Sequence, residues 1–250
     1  MTTPQTPRRS TGLPWAIAGG VVLVGGIAAL VAAAIINTTT SDAGPRTSPP
    51  STSASGAPSA APPTQPTETG VVDDGVTVQG WVPEPITRDE DVYIRAALAA
   101  AATFDTTLAT RDEWLAYLDT WFTPDTRYAS GVDREAQLDQ ARLELRQSVV
   151  LPEDMWNSLA AEDGRVEAAA SAEIAYSPVP ENPPGDMFIG EADVLLTFTS
   201  KTEGAQETSY EQTARVRVQV LCGGESIPTL GSAQQVGDCK VVRFFGADGS

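Results

Sequence analysis

Hydrophobic and polar positions fall into four regimes along the chain. Leu13 to Ile36 is an unbroken apolar run without a charge. From Asn37 to Gly80 no apolar period survives among Ser, Thr and Pro. From Arg88 to Leu159 apolar residues recur at helical spacing. From Val166 to Phe245 they alternate at the spacing of a strand.

The helical region opens with Thr87-Arg88-Asp89-Glu90, a capping-box pattern in which Thr87 would cap and Glu90 reach back. The spacing of Ile94, Ala97, Leu98, Ala101, Phe104 and Leu108 predicts one helix over Arg88–Ala109. Thr110-Arg111-Asp112-Glu113 repeats the box at once. Trp114, Leu115, Leu118, Trp121 and Phe122 then predict a second helix, ended by Thr123-Pro124-Asp125. A third, over Asp133–Gln147, carries Leu138, Ala141 and Leu145, and Met155, Trp156 and Leu159 suit a short helical lid. Asp89, Asp91, Glu153 and Asp154 read as first-turn acids complementing the helix dipole.

Alternation over Val166–Tyr176 predicts a strand, although its alanines leave helix open as the alternative. Phe188–Phe198 and Tyr210–Val220 alternate more cleanly, with Lys201-Thr202-Glu203-Gly204 as the hairpin turn. Lys240–Phe245 predicts a last strand, and Val76–Val82 a short one in the lead-in, anchored by Trp81. Helices followed by strands make the fold class α+β: about three helices, then a curved antiparallel sheet of about four strands wrapped on the first helix.

The apolar run sets the compartment. About 24 helical residues reach about 36 Å, enough for a hydrocarbon core of about 30 Å. Arg8 and Arg9 precede the run and the next basic residue is Arg46, which places the N-terminus in the cytoplasm and the bulk outside. The alternative is a cleaved secretory signal, with Ala32–Ala34 as small residues for a peptidase. Arg8-Arg9 lacks the rest of a twin-arginine motif. The chain thus divides into a stub (1–12), an anchor (13–36), a disordered linker (37–80) that can lift the domain off the membrane, and an extracytoplasmic α+β domain (81–250).

Composition narrows the chemistry. The net charge of −17 disfavours nucleic acid and anionic membrane surfaces as partners of the domain, and keeps an exported domain soluble. There is no His, which removes the commonest general base and metal ligand. No metal or cofactor is expected. Lys201 and Lys240 are the only lysines among many arginines, a bias that points to a high-GC genome such as an actinobacterial one. Outside the membrane, Cys222 and Cys239 are expected to form a disulfide joining two strand ends, worth about 3 kcal/mol in the chain-entropy model. Two free buried thiols are the alternative.

The stretch RDEDVYIRAALAAAATFDTTLATRDEWLAYLDTWFTPD (Arg88–Asp125) combines a long Ala-rich helix, a turn, a Trp-containing helix and Pro-Asp. Behind a single membrane helix it resembles the cone-shaped fold of nuclear transport factor two, as carried by single-pass bacterial envelope proteins. These include the inner-membrane assembly factors of conjugation and type IV secretion machines and the Mce-associated proteins of mycobacteria. The long linker and the Cys222/Cys239 pair depart from that pattern. The resemblance implies protein partners in an envelope complex; whether the chain also forms a homo-oligomer is left open by the sequence.

Three readings follow. As a non-catalytic assembly subunit, the preferred one, the domain would present Arg215, Arg217 and Arg243 as a basic strip, unless these only solvate a sheet face. As a Mce-associated-like ligand- or lipid-binding module it would line a pocket with Phe104, Trp114, Trp121, Phe188 and Phe198, unless these only fill the core. As an enzyme it would rely on Asp105 with Tyr93 or Tyr117 as proton donor. No catalytic residue is assigned.

Overall fold

A computed structural model describes residues 70–201 and 206–246. The stub, the apolar run and the linker up to residue 69 lie outside the described residues. Among the described residues no helix is long and apolar enough to cross a membrane.

The domain opens with an arm. Strand β1 (Gly70–Val71) pairs antiparallel with β2 (Pro85–Ile86). Between them, Gly75–Gln79 form a 3₁₀ turn where the pattern predicted a strand over Val76–Val82. Local hydrogen bonding decides this. Asp73 Oδ1 accepts from the Gly75 amide at 2.9 Å and Thr77 Oγ1 donates to the Asp74 carbonyl at 2.7 Å. Such side-chain contacts favour turns over strands. Gly80 closes the turn at φ 75°, a left-handed position suited to glycine.

Helix α1 (Glu90–Ala100) begins two residues later than expected and ends nine residues earlier than Ala109. Asp89, not Thr87, caps it by accepting from the Val92 amide at 3.1 Å. Its end is set by sheet pairing. Phe104–Asp105 form β3 against Val166 and Arg165. The amide and hydroxyl of Thr106 both donate to the Gly164 carbonyl, at 3.1 and 2.6 Å. Tertiary pairing thus overrides the helical propensity of the alanines.

Helix α2 (Arg111–Asp119) carries the expected capping box of Thr110 and Glu113 in full. Helix α3 (Gly131–Glu144), capped by Ser130, runs into a π-helical turn over Leu145–Val149. Helix α4 (Glu153–Ala160) is the predicted lid. The described residues therefore contain four α-helices rather than three.

The strand reading of Val166–Tyr176 holds, in two pieces: β4 (Arg165–Ala170) and β5 (Ala175–Ser177). Strands β6 (Met187–Lys201) and β7 (Glu207–Leu221) pair from Met187↔Leu221 to Lys201↔Glu207, and β8 (Lys240–Phe245) follows. The hairpin turn itself, residues 202–205, lies outside the described residues. The sheet is a curled antiparallel one of six strands rather than four, ordered β3-β4-β6-β7-β8, with β5 beside β6.

Helix α1 packs on β4, β6 and β7, burying Tyr93, Ile94, Ala97 and Leu98. The approach is close at Gly190 on β6, where an added Cβ would lie 2.8 Å from Ile94 Cδ1 and 2.9 Å from Ile174 Cγ2. A disulfide joins Cys222 to Cys239, as the sequence suggested, linking the end of β7 to the start of β8.

Candidate interaction site

Alternation puts the even-numbered residues of β7 on the face toward the helices and the odd-numbered ones on the outer face. Arg215 and Arg217 are therefore neighbours on the outer face, and Arg243 of β8 lies opposite Gln219 on the same face. Arg217 and Arg243 converge on one ring, 4.9 and 4.6 Å from the centroid of Phe245. The three predicted strip residues are thus brought together, with carboxylates interleaved among them. Arg215 pairs with Glu191 and, at 3.4 Å, with Asp193. Arg217 reaches Glu191 at 3.9 Å and Arg243 reaches Glu144 at 2.7 Å. The strip offers guanidinium planes to a partner but little net positive charge.

Beside the strip, β7 has an open edge. Strand β8 pairs only with Arg217–Leu221, while β6 pairs with all of β7. Among the described residues no strand lies against the other side of 207–216. Glu207 through Thr213 are exposed there. The far edge of β8 is covered at Val241: the Thr123 amide donates to the Val241 carbonyl at 2.8 Å, and the Val241 amide to the Trp121 carbonyl at 2.9 Å. An uncovered edge is a row of unpaired backbone donors and acceptors and a template for another strand.

The five predicted pocket residues fall into separate groups. Phe104 and Trp114 pack on each other at 4.9 Å between ring centroids, and both contact Trp156. Trp121 packs elsewhere, against Tyr93 and Tyr117 at 5.8 and 6.1 Å. Phe188 is half-buried at the other end of the sheet, opposite Val220. Phe198 stacks on Tyr210 at 4.8 Å, and these two line a shallow groove of 220 Å³ with Leu151, Met155 and Leu159.

Asp105 and the two tyrosines are not brought together by any hydrogen bond. Asp105 Oδ1 accepts from the amide and hydroxyl of Thr107, at 2.8 and 2.6 Å. The tyrosines converge instead on Glu84, a residue the sequence did not single out. Tyr93 donates to Glu84 Oε1 at 2.6 Å, and the Glu84 amide donates to Tyr117 Oη at 3.1 Å. Glu84 and Lys240 form an ion pair of 2.8 Å, with side chains 0% and 1% exposed. Lys240 also donates to the Thr120 carbonyl and to Thr229 Oγ1, both at 2.7 Å, and Gln234 donates to Glu84 at 3.1 Å.

This knot ties the arm to the last strand next to the disulfide. The Cys239 amide donates to the Thr87 carbonyl at 2.8 Å, and Arg88 pairs with Asp238 at 3.4 Å. Burial, reinforced by the Glu84 carboxylate, raises Tyr93 well above the ordinary phenol value. Burial lowers Lys240 below its ordinary value, with Glu84 opposing. A lysine at the start of a predicted strand carried no signal of its burial. Only its place beside Cys239 hinted at a fixed position.

No protein-family model matches the chain, and no curated protein matches it. Solved structures that superpose in part include CagV, a VirB8 homolog of the type IV secretion system from Helicobacter pylori strain 26695, at 14% identity and TM-score 0.36 over 62% of this chain and 92% of that one. An IcmL-like type IV secretion system protein from Legionella pneumophila follows at 14% and 0.34, over 70% of this chain and 92% of that one. A periplasmic fragment of TraM gives 10% and 0.31, over 62% and 93%. Likeness at this level assigns the chain to no family.

Proposed function

We propose that this chain is a non-catalytic, membrane-anchored assembly subunit of an envelope complex, of the conjugation- or secretion-channel kind. In this reading Leu13–Ile36 anchors it, the N-terminus is cytoplasmic, and a Ser/Thr/Pro linker presents the acidic domain outside the membrane. The open edge at residues 207–216 beside the Arg215–Arg217–Arg243 strip carries the reading. It offers a partner backbone pairing and guanidinium planes at one place. The knot of Glu84 and Lys240 supports it, because it fixes the arm at which the linker joins the domain.

The test is crosslinking of the full chain in intact cells, with mass spectrometry of what is captured. Secretion or conjugation ATPases and channel subunits are expected. Lipid-transport subunits would replace this reading with the Mce-associated one, and capture of no membrane protein would overturn it. A second reading, a tethered ligand- or lipid-binding module, is favoured by the apolar-rimmed groove at Phe198 and Tyr210. Retention of a lipid or small molecule on the purified protein in native mass spectrometry would support it.

A further inference from the structure

We propose that the open edge of β7 pairs with the same edge of a second copy, in an antiparallel two-fold arrangement centred on Gln212. This goes beyond the assembly reading and does not depend on the membrane anchor.

The stretch Glu207–Val216, ETSYEQTARV, contains neither Pro nor Gly, so every residue offers an amide and can hold extended geometry. It stops at Val216 because Phe245 of β8 occupies the edge from Arg217 onward. A partner strand can therefore run along 208–216 and no further. An antiparallel pair of identical strands is related by a two-fold axis, which keeps each face continuous only when a residue sits on that axis. The midpoint of 208–216 is Gln212. Moving the centre to Thr213 drives residues 207–209 of one copy into β8 of the other. Moving it to Glu211 sets two carboxylates directly opposite each other.

With Gln212 on the axis the side chains are complementary. On the outer face Ser209 lies opposite Arg215 of the second copy, so that each Arg215 falls diagonally between Glu207 and Glu211 of its mate. Diagonal neighbours about 7–8 Å apart are within reach of a long side chain. Arg215 has room for this: its side chain is 60% exposed even with Glu191 and Asp193 alongside. Glu207 already pairs with Arg165 at 3.1 Å, and among the described residues Glu211 has no cation within ion-pair distance. Glu211 also lies diagonal to its own copy, and the two Arg215 side chains flank that pair. On the inner face Tyr210 lies over Ala214, Thr208 over Val216, and the two Gln212 amides meet. Tyr210 is 60% exposed and already held flat against Phe198.

Acid at the start of this stretch and base at its end also select the direction. A parallel pair would put Glu211 on Glu211 and Arg215 on Arg215, which is destabilising.

The test uses the full chain in its own membranes. Gln212→Cys is treated with a short thiol–thiol crosslinker; Cys222 and Cys239 are joined to each other and do not compete. Val78→Cys, exposed on the arm, is the control for random collision. A covalent homodimer several-fold above the control, stronger than for Glu211→Cys or Thr213→Cys, is expected. Gln212→Lys, which sets two ammonium groups on the axis, is expected to cut recovery of one tagged copy with another several-fold. Homodimer from Gln212→Cys no greater than from Val78→Cys overturns the proposal, as does a maximum at either neighbour. Crosslinks from position 212 to a different protein also overturn it while leaving the assembly reading in place. A homodimer without any other envelope partner sustains the pairing and sinks the assembly reading.

Discussion

Lys240→Met tests how the arm is held. The substitution keeps most of the apolar stem and removes the ammonium, and with it the bonds to Glu84, Thr120 and Thr229 at 2.7–2.8 Å. Glu84 stays buried with Tyr93 and Gln234 as donors but without a counter-charge. Removing one partner of a buried pair costs about 3–5 kcal/mol. In a domain of this size that lowers the melting temperature by about 6–20 °C. The double variant Glu84→Gln, Lys240→Met removes both charges and keeps an acceptor for Tyr93. It is expected to recover to within about 1–2 kcal/mol of the parent, because burying both ions carries a desolvation cost that their attraction roughly offsets.

The pH dependence follows from the direction of the shift. Burial lowers Lys240 in the fold relative to the unfolded chain. The unfolded chain therefore binds that proton more readily, and wild-type stability rises with pH through the lowered value toward the ordinary lysine value. Lys240→Met lacks this rise, so its deficit against wild type widens with alkalinity. The range is kept below about pH 9.5, before unfolded tyrosines titrate. The assay is urea unfolding of the compact unit Pro63–Ser250, disulfide intact, followed by tryptophan fluorescence, since Trp81 and Trp121 flank the knot through Tyr117. A single variant within about 1 kcal/mol of wild type, or a double variant no better than the single, would refute the account.

Other expectations are simpler to check. Replacing both cysteines by Ser is expected to lower stability by about 3 kcal/mol and, in hydrogen exchange, to deprotect Thr87–Asp89 along with the 222–239 loop, because the Cys239 amide is bonded to Thr87. Gly190→Ala should destabilise by about 1–3 kcal/mol in urea unfolding, since the new methyl meets both Ile94 and Ile174 below 3 Å. Thr110→Ala should lose about 1 kcal/mol with the cap of α2. Glu113 is held below its ordinary value, first by the Thr110 amide. Its contribution is therefore present above the unfolded carboxylate value and lost as pH falls through the folded one, so the gap between wild type and Glu113→Gln should close in acid.

What the sequence determined is what depends on neighbours along the chain. The capping box at Thr110 and Glu113 is written within four residues and formed in full. The alternation of Phe188–Phe198 and Tyr210–Val220 specified two half-buried strands and their pairing, because a period of two has one buried face. Two cysteines allow one intramolecular pairing, and Cys222 and Cys239 form it. The wish for a strand at Val76–Val82 failed where Asp73, Asp74 and Thr77 hydrogen-bond locally, a competition the hydrophobic pattern does not register.

Tertiary structure decided the rest. Helix α1 stops at Ala100 because Phe104 and Asp105 find partners some 60 residues away at Arg165 and Val166. The aromatic residues separated into clusters around Trp156 and around Tyr93 because Trp114 and Trp121 lie near opposite ends of the α2 segment and meet different neighbours there. Glu84 and Lys240, separated by 156 positions, meet because the arm returns across the end of β8, and no local pattern encodes such a meeting. The open edge of β7 exists because β8 is short and β7 is long. That difference in length becomes a surface only when the two strands lie side by side.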